Sequence, residues 1–181
     1  RRPLPDVVRR LDVALDADGA LTLLARQVTS AATAPERLDG FPAAEVLEWL
    51  VHPRPAPCVG TGHSVQVGSR EVEAVRATVR GLEAIDHRFG GGHARSAAVH
   101  YLEERAGPLL AGSFTDRVGR ELFSAVAELT FKTGAMAYDV GSHVSARQYF
   151  LRALDLARSC GDRALGGKIL ALMSHQDNFL D

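Results

Sequence analysis

GAMAYDVGSHVSARQYFLRALDLA, residues 134–157, decides the fold class. Apolar and small residues recur in it at intervals of three and four, the period of a helix that buries one face. Gly134 carries no Cβ and lets a second helix come close, and Gly141 supplies the turn between the two. Ala146, Phe150 and Ala153 then give the second helix a small, large, small face that interlocks with the first.

The same pattern extends in both directions. Upstream, Thr115 is placed to cap a helix carrying Val118, Leu122, Val126 and Leu129. Before it, Ser69 is the expected cap of a helix whose buried face is Val72, Val75, Val79, Leu82 and Ile85, with Arg76, Arg80 and Glu83 on its other sides. That helix is expected to end near Phe89, to turn at Gly90 to Gly92, and to be followed by another from about His93 toward Gly107 and Pro108. Downstream, beyond CGDRALGGK, the segment KILALMSHQDNFLD reads as the first helix of a further pair, with Ser174 in the small position and Asp181 at the turn. Its partner helix is missing, so the pattern is expected to be cut at the C-terminus.

Toward the start, PRPAPCVGTGHSVQVG, residues 53–68, is rich in proline and glycine and marks the best domain boundary. A short helix, AAEVLEWLVHP, precedes it and stops at Pro53. Leu4, Val7, Val8, Leu11 and Leu15 form one helical stripe, Pro5 suits a first turn, and Gly19 marks a turn before a second helix. The expected organisation is all-α, with helical hairpins stacked over 69–181, a short helix and linker over 29–68, and an exit helix over 1–28.

Composition narrows the function classes. With 181 residues, 46% of them hydrophobic, the chain can bury a core of ordinary size. Its 21 basic and 22 acidic residues leave a net charge of −1, so no overall field selects nucleic acid or a membrane surface as partner. No apolar run approaches the roughly 20 residues of a spanning helix, and the expectation is a cytoplasmic protein without a membrane partner. Cys58 and Cys160 stand in unrelated contexts and read as reduced thiols.

RFGGGHARSAAVHYL, residues 88–102, raises the question of a phosphate loop or metal site. A phosphate cradle needs a strand before its glycines and a Lys or Ser after them, and this stretch has a helix before and neither residue at the required place. A helix corner, with one glycine as a left-handed cap, is the better reading. His93 and His100 are seven residues apart, about 10 Å along a helix and too far to share one metal. A histidine-centred metal enzyme would have to draw on His93, His100, His143 and His175. HExxH and GxSxG are both absent, so no catalytic residue, metal or cofactor is expected.

The small, turn, small, aromatic, small spacing of 134–157 resembles the tetratricopeptide repeat. Thr130 and Ala137 stand where that family usually has its tryptophan and tyrosine. The resemblance implies that the first helix of each pair faces a concave groove. Carried over position by position, it places Glu128, Phe131, Ala135, Tyr138 and Asp139 on the groove from one repeat, and Lys168, Ala171, His175 and Asn178 from the next. Such a mixed surface suits a small polar signalling molecule or a peptide.

IDHRFGGGHAR, YLEERAGPLLAGSFTDRVGRELFSAVAEL, MAYDVGSHVSARQYFLRALDLA and ILALMSHQ together resemble the C-terminal regions of actinobacterial XRE-type helix-turn-helix transcriptional regulators. RRPLPDVVRRLDVALDADGALTLLA is similar to the tail of their DNA reader. The resemblance covers about 69 to 180 and, more weakly, 1 to 28. It implies a sensor and oligomerisation region, a homodimer, and DNA contact only through a reader lying upstream of Arg1. Arg1, Arg2, Arg9 and Arg10 would at most touch phosphates, which position a reader without specifying sequence. Ala135 replaces the family's frequent tryptophan and changes one groove position. Tyr138, Asp139 and His175 are the expected ligand contacts, with His93 and Arg95 at the glycine corner as a second site. A protein-interaction scaffold without small ligand is the alternative.

Overall fold

The computed structural model describes Gly60, Thr61 and residues 65–180, and over them the fold is all-α, in agreement with the helical periodicity. Helix α1 (Ser69–Phe89) is followed by α2 (Gly91–Tyr101), which runs through a π-helical turn (Leu102–Ala106) into the short α3 (Gly107–Leu110). Three long helices complete the chain: α4 (Asp116–Asp139), α5 (His143–Cys160) and α6 (Arg163–Leu180). The expected helices within 1–28 and 43–53, Arg1, Arg2, Arg9, Arg10, Cys58 and the turn position at Asp181 lie outside the described residues.

Helix α4 is the axis of the fold. Leu122, Val126, Leu129 and Met136 turn toward α1 and α2, where they join Val72, Val75, Val79, Leu82, Ala94 and Ala98 in one core. Ala127 and Ala137, on the opposite side, join Ala146, Phe150, Ala153, Leu154, Ala157, Ile169 and Met173 of α5 and α6 in a second. A helix that is apolar on more than one face must be covered on more than one side. Each fully buried Leu, Phe or Ile stabilises the fold by about 1.5–3 kcal/mol. Thr130 and Thr133 fit inside α4 because their hydroxyls donate to the carbonyls of Val126 and Leu129, at 2.7 and 2.8 Å.

The α4–α5 corner has the form that residues 134–157 predict. Gly141 has φ +77°, in the left-handed region, and a Cβ on Gly134 would fall 2.7 Å from Phe150 Cε1. The ring of Phe150 thus occupies the space that any larger residue at 134 would need. Thr115 caps α4, its Oγ1 accepting from the Val118 amide at 3.4 Å.

Several sequence expectations need correction. The cap of α1 is Gly68, not Ser69, and the Glu71 carboxylate accepts from the Gly68 amide at 2.8 Å. That bond holds the Glu71 carboxyl below the usual carboxylate range. Ile85 lies about 100° around α1 from the centre of the stripe formed by Val72, Val75, Val79 and Leu82, and is 41% exposed. At the glycine corner Gly90 alone takes positive φ, 82°, and Gly91 already opens α2.

Gly107 and Pro108 do not end the helix. The Gly107 amide bonds back to the Leu102 carbonyl, and this wider π-helical turn leads the backbone into α3 with proline in its first turn. Helix α6 begins at Arg163, earlier than expected, where the Asp162 carboxylate accepts from the Leu165 amide at 3.0 Å. Ser174 is exposed and takes no packed small position. The end of the Pro/Gly-rich stretch is packed: β1 (Gly60–Thr61) pairs antiparallel with β2 (Ser113–Phe114), and Val67 is buried and donates to the Ser113 carbonyl at 2.9 Å.

Candidate functional site

The last turn of α4, the first residue of α5 and the last turns of α6 meet at one end of the described helical bundle. Tyr138 leaves α4 on the side facing α6, and its hydroxyl lies 3.0 Å from His175 Nδ1. The Tyr138 ring packs edge-on against His143 at 5.4 Å, His175 at 5.9 Å and Phe179 at 6.3 Å between centroids. His143 and Phe179 close the cluster at 6.3 Å. The rings touch one another, so this is a filled patch with polar edges and not an open aromatic cage.

The Gly141 turn makes the cluster possible by carrying the chain from Tyr138 to His143 within five residues. Spacing on α6 does the rest, since His175 and Phe179 are four apart and share one stripe. Burial raises the Tyr138 hydroxyl above its ordinary range, and the Asp139 carboxylate adds to the effect. Asp139 is exposed by area, yet burial on its inner side pushes its carboxyl up, reinforced by Asp86 at the end of α1. The phenol therefore stays protonated at neutral pH and can donate to His175 Nδ1.

Beneath the rings lies a polar layer. Gln176 is fully buried, and its Nε2 donates to the His143 carbonyl at 2.8 Å. Arg147, one turn into α5, pairs with Asp177 at 2.6 Å, both side chains largely shielded from solvent. His143 Nδ1, Gln176 Oε1 and Asp177 Oδ2 are buried without a hydrogen-bond partner. Two of these three atoms are acceptors, and all three are shielded from solvent.

The ligand contacts expected from sequence separate into two groups. Tyr138 and His175 come together, Asn178 is exposed three residues on from His175 along α6, and Asp139 sits beside Tyr138. The others stand apart. Phe131 is tilted against Phe150 at 6.0 Å and belongs to the core between α4 and α5. Glu128 is exposed ten residues before Tyr138, about 15 Å along the helix, and Lys168 is exposed about 10 Å before His175. At the glycine corner, His93 lies 6.0 Å from the Phe89 ring, and Arg95 has its Nε buried without a partner.

Sequence reading did not assign Phe179, Gln176, Arg147 or Asp177 to the site and saw His143 only as a metal candidate. Phe179 was detectable as the aromatic four residues after His175. The Arg147–Asp177 and Gln176–His143 contacts join residues 30 and 33 apart in sequence and carry no local signal. Among the described residues, no group of three or more His, Cys, Asp or Glu side chains is placed to hold a metal ion.

The class that these observations define is an all-α protein with a histidine and tyrosine cluster at one end of its bundle. No family model, no curated protein and no solved structure matches the chain. No helix among the described residues is long and apolar enough to cross a membrane.

Proposed function

We propose that this chain is the sensor and oligomerisation region of a cytoplasmic XRE-type transcriptional regulator, acting on a DNA reader attached upstream. In this reading α4, α5 and α6 are one and a half tetratricopeptide-like hairpins, and the ligand is a small polar molecule or short peptide. The observation that carries the reading is the meeting of Tyr138 and His175, from separate helices, in a 3.0 Å hydrogen bond at the surface.

A ligand acts in such a region only through differential affinity for two arrangements of the helices. Groups contributed by α4, α5 and α6 together provide that difference, because any shift of α6 against α4 changes the distance between Tyr138 and His175. The attached readers would then be spaced differently on their half-sites.

Native mass spectrometry of protein purified without chelators tests the reading, before and after incubation with a defined library of short peptides. The expected result is an organic or peptide adduct that the double substitution Tyr138→Ala and His175→Ala removes, with helicity by circular dichroism unchanged. An adduct that survives the double substitution, a stoichiometric metal adduct, or no adduct under either condition would overturn it.

A further inference from the structure

Among the described residues five large hydrophobic side chains remain exposed, and four of them, Ile85, Phe89, Val140 and Phe179, stand where α1, α4 and α6 end. Phe179 belongs to the cluster around Tyr138. The other three do not. Ile85 is 41%, Phe89 57% and Val140 46% exposed, and a Cβ on Gly92, two residues past the α1 corner, would lie 3.6 Å from Val140 Cγ1. The end of α1 thus presents an apolar patch, and Val140 of the α4–α5 turn borders the first turn of α2 that follows it.

Charges border this patch in a definite arrangement. Ile85 and Phe89 are four apart and form a ridge along α1. Asp86 and Arg88 flank that ridge about 80° to either side, by the 100° rotation per residue. Asp139 lies on the Asp86 side, near enough for the two carboxylates to repel. On the other side the Arg88 guanidinium sits 5.4 Å from the Phe89 ring centroid. Neither Asp86, Asp139 nor Arg88 forms an ion pair with any described residue. The patch is thus acidic along one edge, basic along the other and apolar between.

We propose that this patch is an interface between two copies of the chain, in which the Ile85 and Phe89 ridges of two α1 helices lie side by side about a two-fold axis parallel to them. Such an axis exchanges the two edges, so Asp86 of each copy faces Arg88 of the other while the apolar ridges meet at the centre. An antiparallel arrangement would set Asp86 against Asp86 and is disfavoured. Val140 is two residues from Tyr138, so the interface and the ligand cluster share the end of α4. The inference rests on the oligomerisation half of the function proposed above and is independent of its ligand half.

Sedimentation equilibrium of the 181-residue chain over a concentration series tests it. The wild type is expected to dimerise, and Phe89→Ser to raise the dimer dissociation constant by at least about tenfold, as loss of an aromatic anchor does. Asp86→Arg and Arg88→Asp are each expected to weaken the homodimer, because each makes both edges alike in charge. Mixed one to one, these two variants are expected to pair with each other. A monomeric wild type, a dimer indifferent to all three substitutions, or charge variants that fail to pair when mixed would each overturn the proposal. All three substituted side chains are partly or largely exposed, and circular dichroism confirms that the helices persist. Adduct formation on the same variants reports the ligand site separately, so loss of one half of the functional reading is distinguishable from loss of the other.

Discussion

Replacing Gly134 by alanine adds one methyl group at the α4–α5 contact, and the structure fixes the sign of the effect. The new Cβ would lie 2.7 and 2.8 Å from two atoms of the Phe150 ring and 3.0 Å from Tyr149 Cβ. Phe150 is fully buried and braced by Phe131, so the ring cannot swing aside without disturbing the core. Overpacking of this kind costs about 1–3 kcal/mol, whereas alanine in a helix interior gains about 0.8–1 kcal/mol over glycine. The upper half of the first range applies to a braced ring, which leaves a net loss of about 1–2 kcal/mol. Gly81 in α1 is the control, because nothing lies within 4 Å of a Cβ built there. Gly81→Ala should therefore stabilise by up to about 1 kcal/mol. In thermal unfolding, at about 2–4 °C per kcal/mol, the two variants should move the midpoint in opposite directions. Urea titration with an unchanged slope would confirm that the effect is on stability. A Gly134→Ala protein as stable as the wild type would refute the close-packing argument for this corner.

Asp139 yields a pH-dependent prediction. Its carboxyl is raised in the folded chain, so the folded state binds the proton more tightly than the unfolded state does. The associated stability is present below the ordinary carboxylate range and is lost as pH rises through the folded value. Asp139→Asn should therefore stabilise at pH 7, by less than about 1 kcal/mol for so exposed a group, with the gain vanishing near pH 3 in paired urea titrations. The Arg147–Asp177 pair gives a third test by double-mutant cycle. Arg147→Met leaves a shielded carboxylate without its guanidinium and should cost about 3 kcal/mol, the low end of the range for a buried pair because Asp177 keeps some exposure, and adding Asp177→Leu should restore most of it. If the double variant is no better than the single, the pair is not the unit that joins α5 to α6.

How much could be read from the sequence differs from element to element. Gly134, Gly141 and Phe150 announce the α4–α5 corner because their constraints are local: a glycine where a helix must approach, a glycine where φ turns positive, a large residue between small ones. Thr115 is equally legible, since a cap is set by the next three residues. Ser69 misleads because glycine serves as a cap as well, and Glu71, three residues after Gly68, accepts from the cap's own amide, the half of a capping box that needs no side chain on the cap. Pro108 misleads for a different reason. A proline breaks an α-helix, but the widened turn before it absorbs the missing amide, and nothing in the local sequence announces a π-helical turn.

For the site, Tyr138 and His175 were found by carrying over a repeat register, and geometry brings them within hydrogen-bonding distance. The same register put Phe131, Glu128 and Lys168 with them, and these stand elsewhere. Periodicity assigns a residue to a helix face and leaves open where along the helix another element crosses it. What the sequence alone determined is the helical class, the position of the α4–α5 corner and most of the buried faces, because all of these depend on neighbours within one or two turns. The tertiary structure alone decided that α4 would be covered on two sides and that α6 would cross at Tyr138. It also decided that Arg147, Gln176 and Asp177 would lie beneath the rings and that Ile85 would be left exposed. Those outcomes depend on which helix ends reach one another, and they are set by packing between residues thirty or more positions apart.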